Sequence, residues 1–514
     1  MEQTPKALAV YAISALTVTW IVRSIIYHFT TESKIRRSGG HAPSVPSYLP
    51  LGIGFVVEVF RKNNKHELLD LWQSLLRKYA NPNHPTTVEV SPGGQRSIIT
   101  IDELNIKAIL ATQFADYGKG EVFHRDWREF LGDSIFTTDG TLWHQSRQLI
   151  RPQFIKDRVS DLHVFENHIN VLLPILAGGA HSRPGTPVDL VDIFYRYTLD
   201  AATDFLLGTS VHSLEMSEVP FADAFARVQH TQGLISRIGP MSAFVPRKKF
   251  REELKIVDAF IEQFVESTLR LSPDELEKNS KSDEGYTFLH ALAGFTRDPQ
   301  VLRDQIAAVL LAGRDTTAMT LAWTFYEISC RPQIVEKLRM EITATLPDGS
   351  APTYADLKNM KYLTHTINET LRLYPIVPYN TRVAIKDTTL PRGGGSDGMQ
   401  PIGVPKGTPI FYSPLGMQRR ADIYPPVSET FAHHLEFSPE RWDHWHPQMW
   451  TYIPFNGGPR ICIGQQYALT EVAYTTVRIL QTYSRLENCM PGPPGLQSDI
   501  VLQPSTPVDV AFFR

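Results

Sequence analysis

Apolar positions recur at helical spacing along most of the chain. The stretch "QIAAVLLAGRDTTAMTLAWTFYEIS" is apolar around nearly its whole circumference, which predicts a long buried helix over 300–329. Shorter amphipathic patterns predict helices over 66–79, 361–373 and 464–483. Runs rich in β-branched and aromatic residues, bounded by turn residues, predict strands at 86–90, 97–101, 379–385 and 408–413. The pattern is therefore mainly α with a small β-sheet region, placed near the N-terminal third and the middle. It contains no internal repeat. Polar runs at 272–285 and 390–401 are expected to be a solvated loop or short helix and a surface loop between strands.

The N-terminus departs from this pattern. Residues 7–26, "ALAVYAISALTVTWIVRSII", hold a single charge, Arg23. A helix of that length spans roughly 30 Å, a bilayer core. Lys34, Arg36 and Arg37 follow, whereas only Lys6 precedes, so the positive-inside bias sets the remainder on the cytosolic side. A cleaved signal peptide is the rival, but the stretch is long and lacks an A-x-A site at its end. A proline-rich run, 39–55, reads as a stiff hinge. The expected organisation is an anchor with a basic flank (1–38), the hinge (39–55) and one catalytic globule (56–514).

Bulk chemistry excludes some functions. A net charge of −3 gives no support to nucleic-acid binding. Three cysteines, Cys330, Cys462 and Cys489, are too few and scattered for a disulfide framework or zinc knuckle. His433, His434, His444 and His446 form a loose loop cluster with no cysteine or carboxylate array at ligand spacing. Gly393, Gly394, Gly395 and Gly398 neither follow a buried strand nor open a helix, so no dinucleotide fingerprint is present. Redox electrons must come from outside the chain. The sequon at Asn368-Glu369-Thr370 would be silent in the cytosol.

"FNGGPRICIGQQYALTE" (455–471) holds the cysteine that matters. Turn-forming residues bend the backbone tightly ahead of it, Arg460 stands two residues before it, and a helix begins just after Gly464. Amides at a helix start and the helix dipole favour a thiolate, the form that ligates a metal. A buried inert cysteine is the bland alternative. The spacing Phe455, Gly458, Arg460, Cys462, Gly464, Ala468 resembles the haem-ligating loop of the cytochrome P-450 superfamily. There a cysteine thiolate holds the haem iron and pushes electron density toward O–O cleavage.

Independent segments carry the same resemblance in the same chain order, covering residues 40 to 514. Glu369 and Arg372, three apart on one helical face in "NETLRLYP", resemble the E-x-x-R pair, and "FSPERW" supplies Arg441. The resemblance implies that these three form a buried charge network behind the haem. Trp143 and Arg147 in "WHQSR" match residues that lie against haem propionates, and Arg382 in "YNTRVA" is a further candidate there. "AGRDTTA" resembles the oxygen-side motif. It implies that Thr316 positions the reacting oxygen and that Asp315 links the site to bulk protons. Gly313 and the threonines oppose helix propensity, and Thr hydroxyls bonding back to i−4 carbonyls can bend or widen a helix.

The resemblance implies the cytochrome P-450 fold, with haem between the long oxygen-side helix and the cysteine-loop helix, after an N-terminal transmembrane helix. It implies a monooxygenase in the endoplasmic reticulum membrane, single-pass, with the catalytic domain cytosolic. Haem b would be the cofactor and O2 the co-substrate. NADPH would act through a separate reductase, with cytochrome b5 as a further partner. "AGRDTTA", the insertion "DTTLPRGGGSDG" and "ICIGQQYALTE" resemble the fungal branch that oxidises n-alkanes and fatty acids. Oxidation of a fungal secondary metabolite, a polyketide or terpenoid, is the alternative. A haem-thiolate isomerase or dehydratase would not need the Asp315–Thr316 pair. Tyr467, the "FNGG" run and the segment "YGKGEVFHRDW" depart from the branch pattern.

Overall fold

The computed structural model describes residues 14–15, 18–19, 22, 26, 28–154, 161–178, 185–216, 218–238, 242, 245–281 and 287–514. The 7–26 segment lies largely outside them. Among the described residues no helix is long and apolar enough to cross a membrane.

Twelve principal helices follow in chain order. They are α1 (Ile53–Asn64), α2 (Leu68–Tyr79), α3 (Gly120–Leu131), α4 (Gly140–Ile150), α5 (His163–Leu176), α6 (Leu190–Leu207), α7 (Pro220–Ile238), α8 (Lys248–Arg270), α9 (Pro299–Ser329), α10 (Pro332–Thr345), α11 (Lys361–Leu373) and α12 (Gln465–Thr482). The strands are β1 (Thr87–Val90), β2 (Ser97–Thr100), β3 (Tyr117–Gly118), β4 (Val188–Asp189), β5 (Asn380–Ala384), β6 (Thr388–Gly394), β7 (Gln400–Val404), β8 (Pro409–Tyr412), β9 (Arg485–Asn488), β10 (Leu496–Ser498), β11 (Leu502–Pro504) and β12 (Asp509–Phe513).

Two compact units divide the chain. The smaller comprises residues 1–53, 74–118 and 381–412. It holds a five-stranded sheet of order β1-β2-β8-β5-β3 and the β6–β7 hairpin. Here the 39–55 segment is packed rather than free. Ala42 is buried and donates its N–H to Glu89, and Ser44 bridges Glu89 of β1. Its last residues already begin α1, whose run of β-branched residues hides the helical period. The 390–401 loop is also corrected, since β6 runs to Gly394 and β7 starts at Gln400. Glycine there permits close approach, because a Cβ on Gly394 would stand 2.7 Å from the Pro401 carbonyl.

The larger unit is mainly helical, with the small sheets β4-β12-β9 and β10-β11 that the apolar pattern does not announce. Its strands are three to five residues or shorter, too brief for a period of two to emerge. Asp298 caps α9, accepting from the Gln300 and Val301 amides at 2.9 and 3.3 Å, and Pro299 opens the helix with no N–H to lose. The helix then threads two cores. Leu302, Ile306, Leu310 and Leu311 pack with α7 and α8, whereas Met319, Trp323 and Phe325 pack among side chains of α11 and α12. Residues 312–317 belong to neither core. The apolar sequence builds a rigid rod and leaves its polar motif at the gap.

Candidate active site

The cysteine loop is shaped by glycine at two places. Gly458 sits at φ +66°, and a Cβ on Gly457 would meet the Trp450 ring at 2.5 Å. That explains the glycine-rich run. The Cys462 N–H donates to the Phe455 carbonyl at 3.0 Å, closing the loop, and α12 starts three residues later. Phe455 packs on the core beneath.

A cavity of about 750 Å³ opens onto the sulfur, walled by Trp143, Arg147, Phe154, Pro459, Ile461 and Ile463. Cys462 is accessible, but from this recess; protein surrounds it otherwise. Burial pushes the thiol up, outweighing the Gly464 amide and Arg147, which pull it down. The expected thiolate belongs to the coordinated state, since a coordinated thiol is deprotonated outright.

Trp143 and Arg147 share a face of α4 as expected. The Arg147 guanidinium donates to the Ile461 carbonyl at 3.1 Å and lies 6.0 Å from the Trp143 ring. Arg460 lies 4.6 Å from the same ring and donates to the Thr138 carbonyl and the Asp139 carboxylate at 2.9 and 2.6 Å. Asp139 was not visible as a site residue. It also accepts the Lys119 and Gly120 amides, so one carboxylate ties the start of α3 to the cysteine loop. Arg382 is buried in β5, in the smaller unit, with its guanidinium 5.9 Å from the Tyr412 ring.

Glu369, Arg372 and Arg441 come together with no exposed surface. Arg372 donates twice to Glu369, at 2.7 and 2.8 Å, and Arg441 approaches it at 3.5 Å. The Trp442 indole and the Ser438 amide also donate to Glu369, at 3.0 and 2.9 Å. Both guanidinia reach the 432–436 carbonyls. The network therefore fastens α11 to the segment that leads to the cysteine loop. Burial lowers the Arg372 pKa, but Glu369 and Tyr424 together raise it more, for a net rise; for Arg441 burial prevails. The sequon lies here as well: Asn368 is on α11 and Thr370 is fully buried. Of the histidine cluster, His444 ends a short helix, and among the described residues no group of three or more His, Cys, Asp or Glu is arranged to hold a metal ion.

Midway along α9, between buried turns, Val309, Ala312, Gly313 and Thr316 are partly open. The spacing i, i+3, i+4, i+7 makes these one face. A Cβ on Gly313 would meet only Ala202 at 3.8 Å, so packing does not demand a glycine there. The Thr316 hydroxyl donates to the Ala312 carbonyl at 2.6 Å, and Thr320 and Thr324 repeat this down the helix. The i−4 bonds form as expected, yet α9 runs unbroken from Pro299 to Ser329.

Asp315 does not face the open stripe and does not reach bulk water. Its two oxygens accept from Arg314 at 3.1 Å and Gln229 of α7 at 2.6 Å. Burial raises its pKa, against Arg314 and Gln229. Sequence reasoning also missed Glu471, which is buried on α12 beside Thr317 and pushed up to about 8 by desolvation. Tyr467 sits among Phe154, Phe165 and Phe205, and its hydroxyl has no hydrogen-bond partner among the described residues.

One thiol at a helix start, facing a cavity of small-molecule size with aromatic walls and a guanidinium at the rim, fits a haem. Comparison with known proteins agrees. The Cytochrome P450 family model matches residues 49–512. The chain is 47% identical over 516 residues to the cytochrome P450 monooxygenase pvhE of Talaromyces variabilis, covering 98% of this chain and 95% of that one. It is 38% identical over 503 residues to cytochrome P450 52A5 of Candida maltosa, covering 93% and 91%. It is also 38% identical over 513 residues to the cytochrome P450 monooxygenase himC of Aspergillus japonicus, covering 96% and 88%.

Proposed function

The chain belongs to the cytochrome P450 family and is a P450 monooxygenase; from that premise we propose that its substrate is a lipophilic molecule with an aliphatic chain, a fatty acid or alkane. Support comes from the open face of α9, which offers Val309, Ala312 and Gly313 and a single hydroxyl, Thr316. Such a wall binds methylenes, each contributing about 0.8 kcal/mol. A second reading is tailoring of a fungal secondary metabolite.

Cys462 would hold the haem iron, and haem b is the proposed type. Trp143 and Arg147 would meet its carboxylates, while Phe455, Gly458, Arg460 and Gly464 shape the loop. When bound, the haem supplies O2 activation and oxygen-atom transfer, with electrons from NADPH through a reductase and from cytochrome b5. Thr316, once its hydroxyl turns from the Ala312 carbonyl by rotation about the Cα–Cβ bond, would hold a proton at the oxygen side. Asp315 would replenish that proton. Val309, Ala312 and Gly313 exclude water and orient the apolar chain. Residues 7–26 would anchor the enzyme in the endoplasmic reticulum membrane, catalytic domain cytosolic.

Fatty acids of graded length, titrated while the Soret band is followed, test the substrate class. The expected result is a spin-state shift that tightens with chain length to an optimum. Absence of any shift across the series, with a shift produced by a polycyclic or polyketide ligand, would transfer the assignment to the second reading.

A further inference from the structure

Three buried polar atoms around α3 have no hydrogen-bond partner among the described residues. They are the Trp127 indole N–H, the Gln232 amide oxygen and the Gln305 amide oxygen. Their residues are 8%, 0% and 1% exposed, so bulk water does not serve them. The three come from α3, α7 and α9, and α3 packs against both of the other helices.

Neighbouring groups fix the orientation of each carboxamide. Gln232 donates its NH2 to the Asp126 carbonyl of α3 at 3.0 Å. Gln305 donates its NH2 to the Ser146 hydroxyl of α4 at 3.1 Å and to the Asp133 carbonyl at 3.4 Å. A carbonyl only accepts, so each NH2 must face it and each amide oxygen is left on the other side of its group. The Asp126 carbonyl belongs to the peptide that leads into Trp127, whose ring is set by stacking on Phe123 at 5.4 Å. One donor and two acceptors are thus held in place with nothing bound to them. Leaving such a group unsatisfied costs about 1–3 kcal/mol, and native folds keep one where a ligand or an ordered water completes it.

Gln305 ties this group to the reaction site. It precedes Val309, Ala312 and Thr316 by four, seven and eleven residues, so it continues the open face of α9. Eleven residues at 1.5 Å each put it about 16 Å from Thr316 along the helix axis. With C–C bonds near 1.5 Å set in zigzag, about a dozen carbons cover that span.

We propose that Trp127, Gln232 and Gln305 form a specificity subsite for a neutral hydroxyl of the substrate, held about a dozen carbons from the carbon that is oxidised. The inference rests on the aliphatic-chain reading and narrows it. A hydroxyl accepts the indole N–H on its oxygen and donates its own proton to one carboxamide oxygen, while water or a neighbouring hydroxyl donates to the other. A carboxylate fits poorly, because its charge would meet two amide oxygens with a single N–H to receive it. An alkane leaves all three atoms unpaired, and a site built for an O–H discriminates on that account.

The test measures binding of labelled 1-dodecanol, dodecanoate and dodecane to the full-length haem-loaded enzyme by equilibrium dialysis. Dialysis is preferred to the Soret shift because an alcohol can ligate the iron itself. Wild type is compared with Trp127→Phe, which removes the donor, and with Gln232→Met/Gln305→Met, which removes both acceptors. The alcohol-to-alkane affinity ratio cancels any packing lost with the side chain. It should fall about tenfold or more in each variant, with the dodecanoate-to-dodecane ratio unchanged. An unchanged alcohol-to-alkane ratio in either variant would mean that these atoms hold water only, and would overturn the subsite. An equal fall for dodecanoate would overturn its preference for a neutral hydroxyl. Failure of all three ligands to bind wild type would instead overturn the aliphatic-chain reading, and the subsite with it.

Discussion

Replacing Glu369 by alanine removes the acceptor on which four close donors converge: two from Arg372 at 2.7 and 2.8 Å, the Ser438 amide at 2.9 Å and the Trp442 indole at 3.0 Å. Arg441, at 3.5 Å, adds a weaker contact. The two arginines keep their bonds to the 432–436 carbonyls, so their donors are not all orphaned. Their charges, however, lose the only carboxylate of the network, with no exposed surface through which water could compensate. Breaking a buried pair by removing one partner costs about 3–5 kcal/mol, and each stranded neutral donor adds about 1–3 kcal/mol. The total, roughly 5 kcal/mol or more, rivals the whole stability of a typical domain. Glu369→Gln keeps the shape and two lone pairs and should lose about half as much. Thermal unfolding and the haem-to-protein ratio after purification check this. The expected series is wild type, then Glu369→Gln with a lowered Tm, then Glu369→Ala with little haem retained. An alanine variant that unfolds at the wild-type temperature with full haem would refute the reasoning.

Two further predictions concern α9 and α12. Thr316→Ala should keep haem and substrate binding while diverting reducing equivalents to peroxide, so product per NADPH falls about tenfold or more; unchanged coupling would exclude the hydroxyl. Glu471, pushed up to about 8 by burial, binds its proton more tightly folded than unfolded. Stability should then fall as pH rises from the ordinary carboxyl range to about 8, by roughly 1.4 kcal/mol per pH unit, and level off above. Glu471→Gln should flatten that slope in thermal melts between pH 5 and 8, and a variant curve parallel to wild type would contradict the assignment.

The long helices were legible because each repeats its burial over several turns. α9 begins one residue before the predicted start and α11 has the predicted bounds. α1 was hidden because Val56, Val57 and Val59 blur a helical period next to a proline-rich run. Cys462, Glu369 with Arg372, and Thr316 were legible from local spacing, since each pair or loop is contiguous in sequence. Gln229 and Asp139 were not. Their partners lie 86 and 321 residues away, and neither residue type stands out in its own helix or turn. The burial of Cys462 was not legible for the same reason: local amides are visible in sequence, while the desolvation that opposes them comes from the fold.

The most direct measurement is the absorbance of the purified, dithionite-reduced protein under carbon monoxide, recorded for wild type and for Cys462→His. Thiolate ligation predicts a Soret band of the thiolate kind for wild type that moves to the imidazole kind, or disappears with the haem, in the variant. A wild-type spectrum of the imidazole kind, or one that Cys462→His leaves unmoved, would contradict the account.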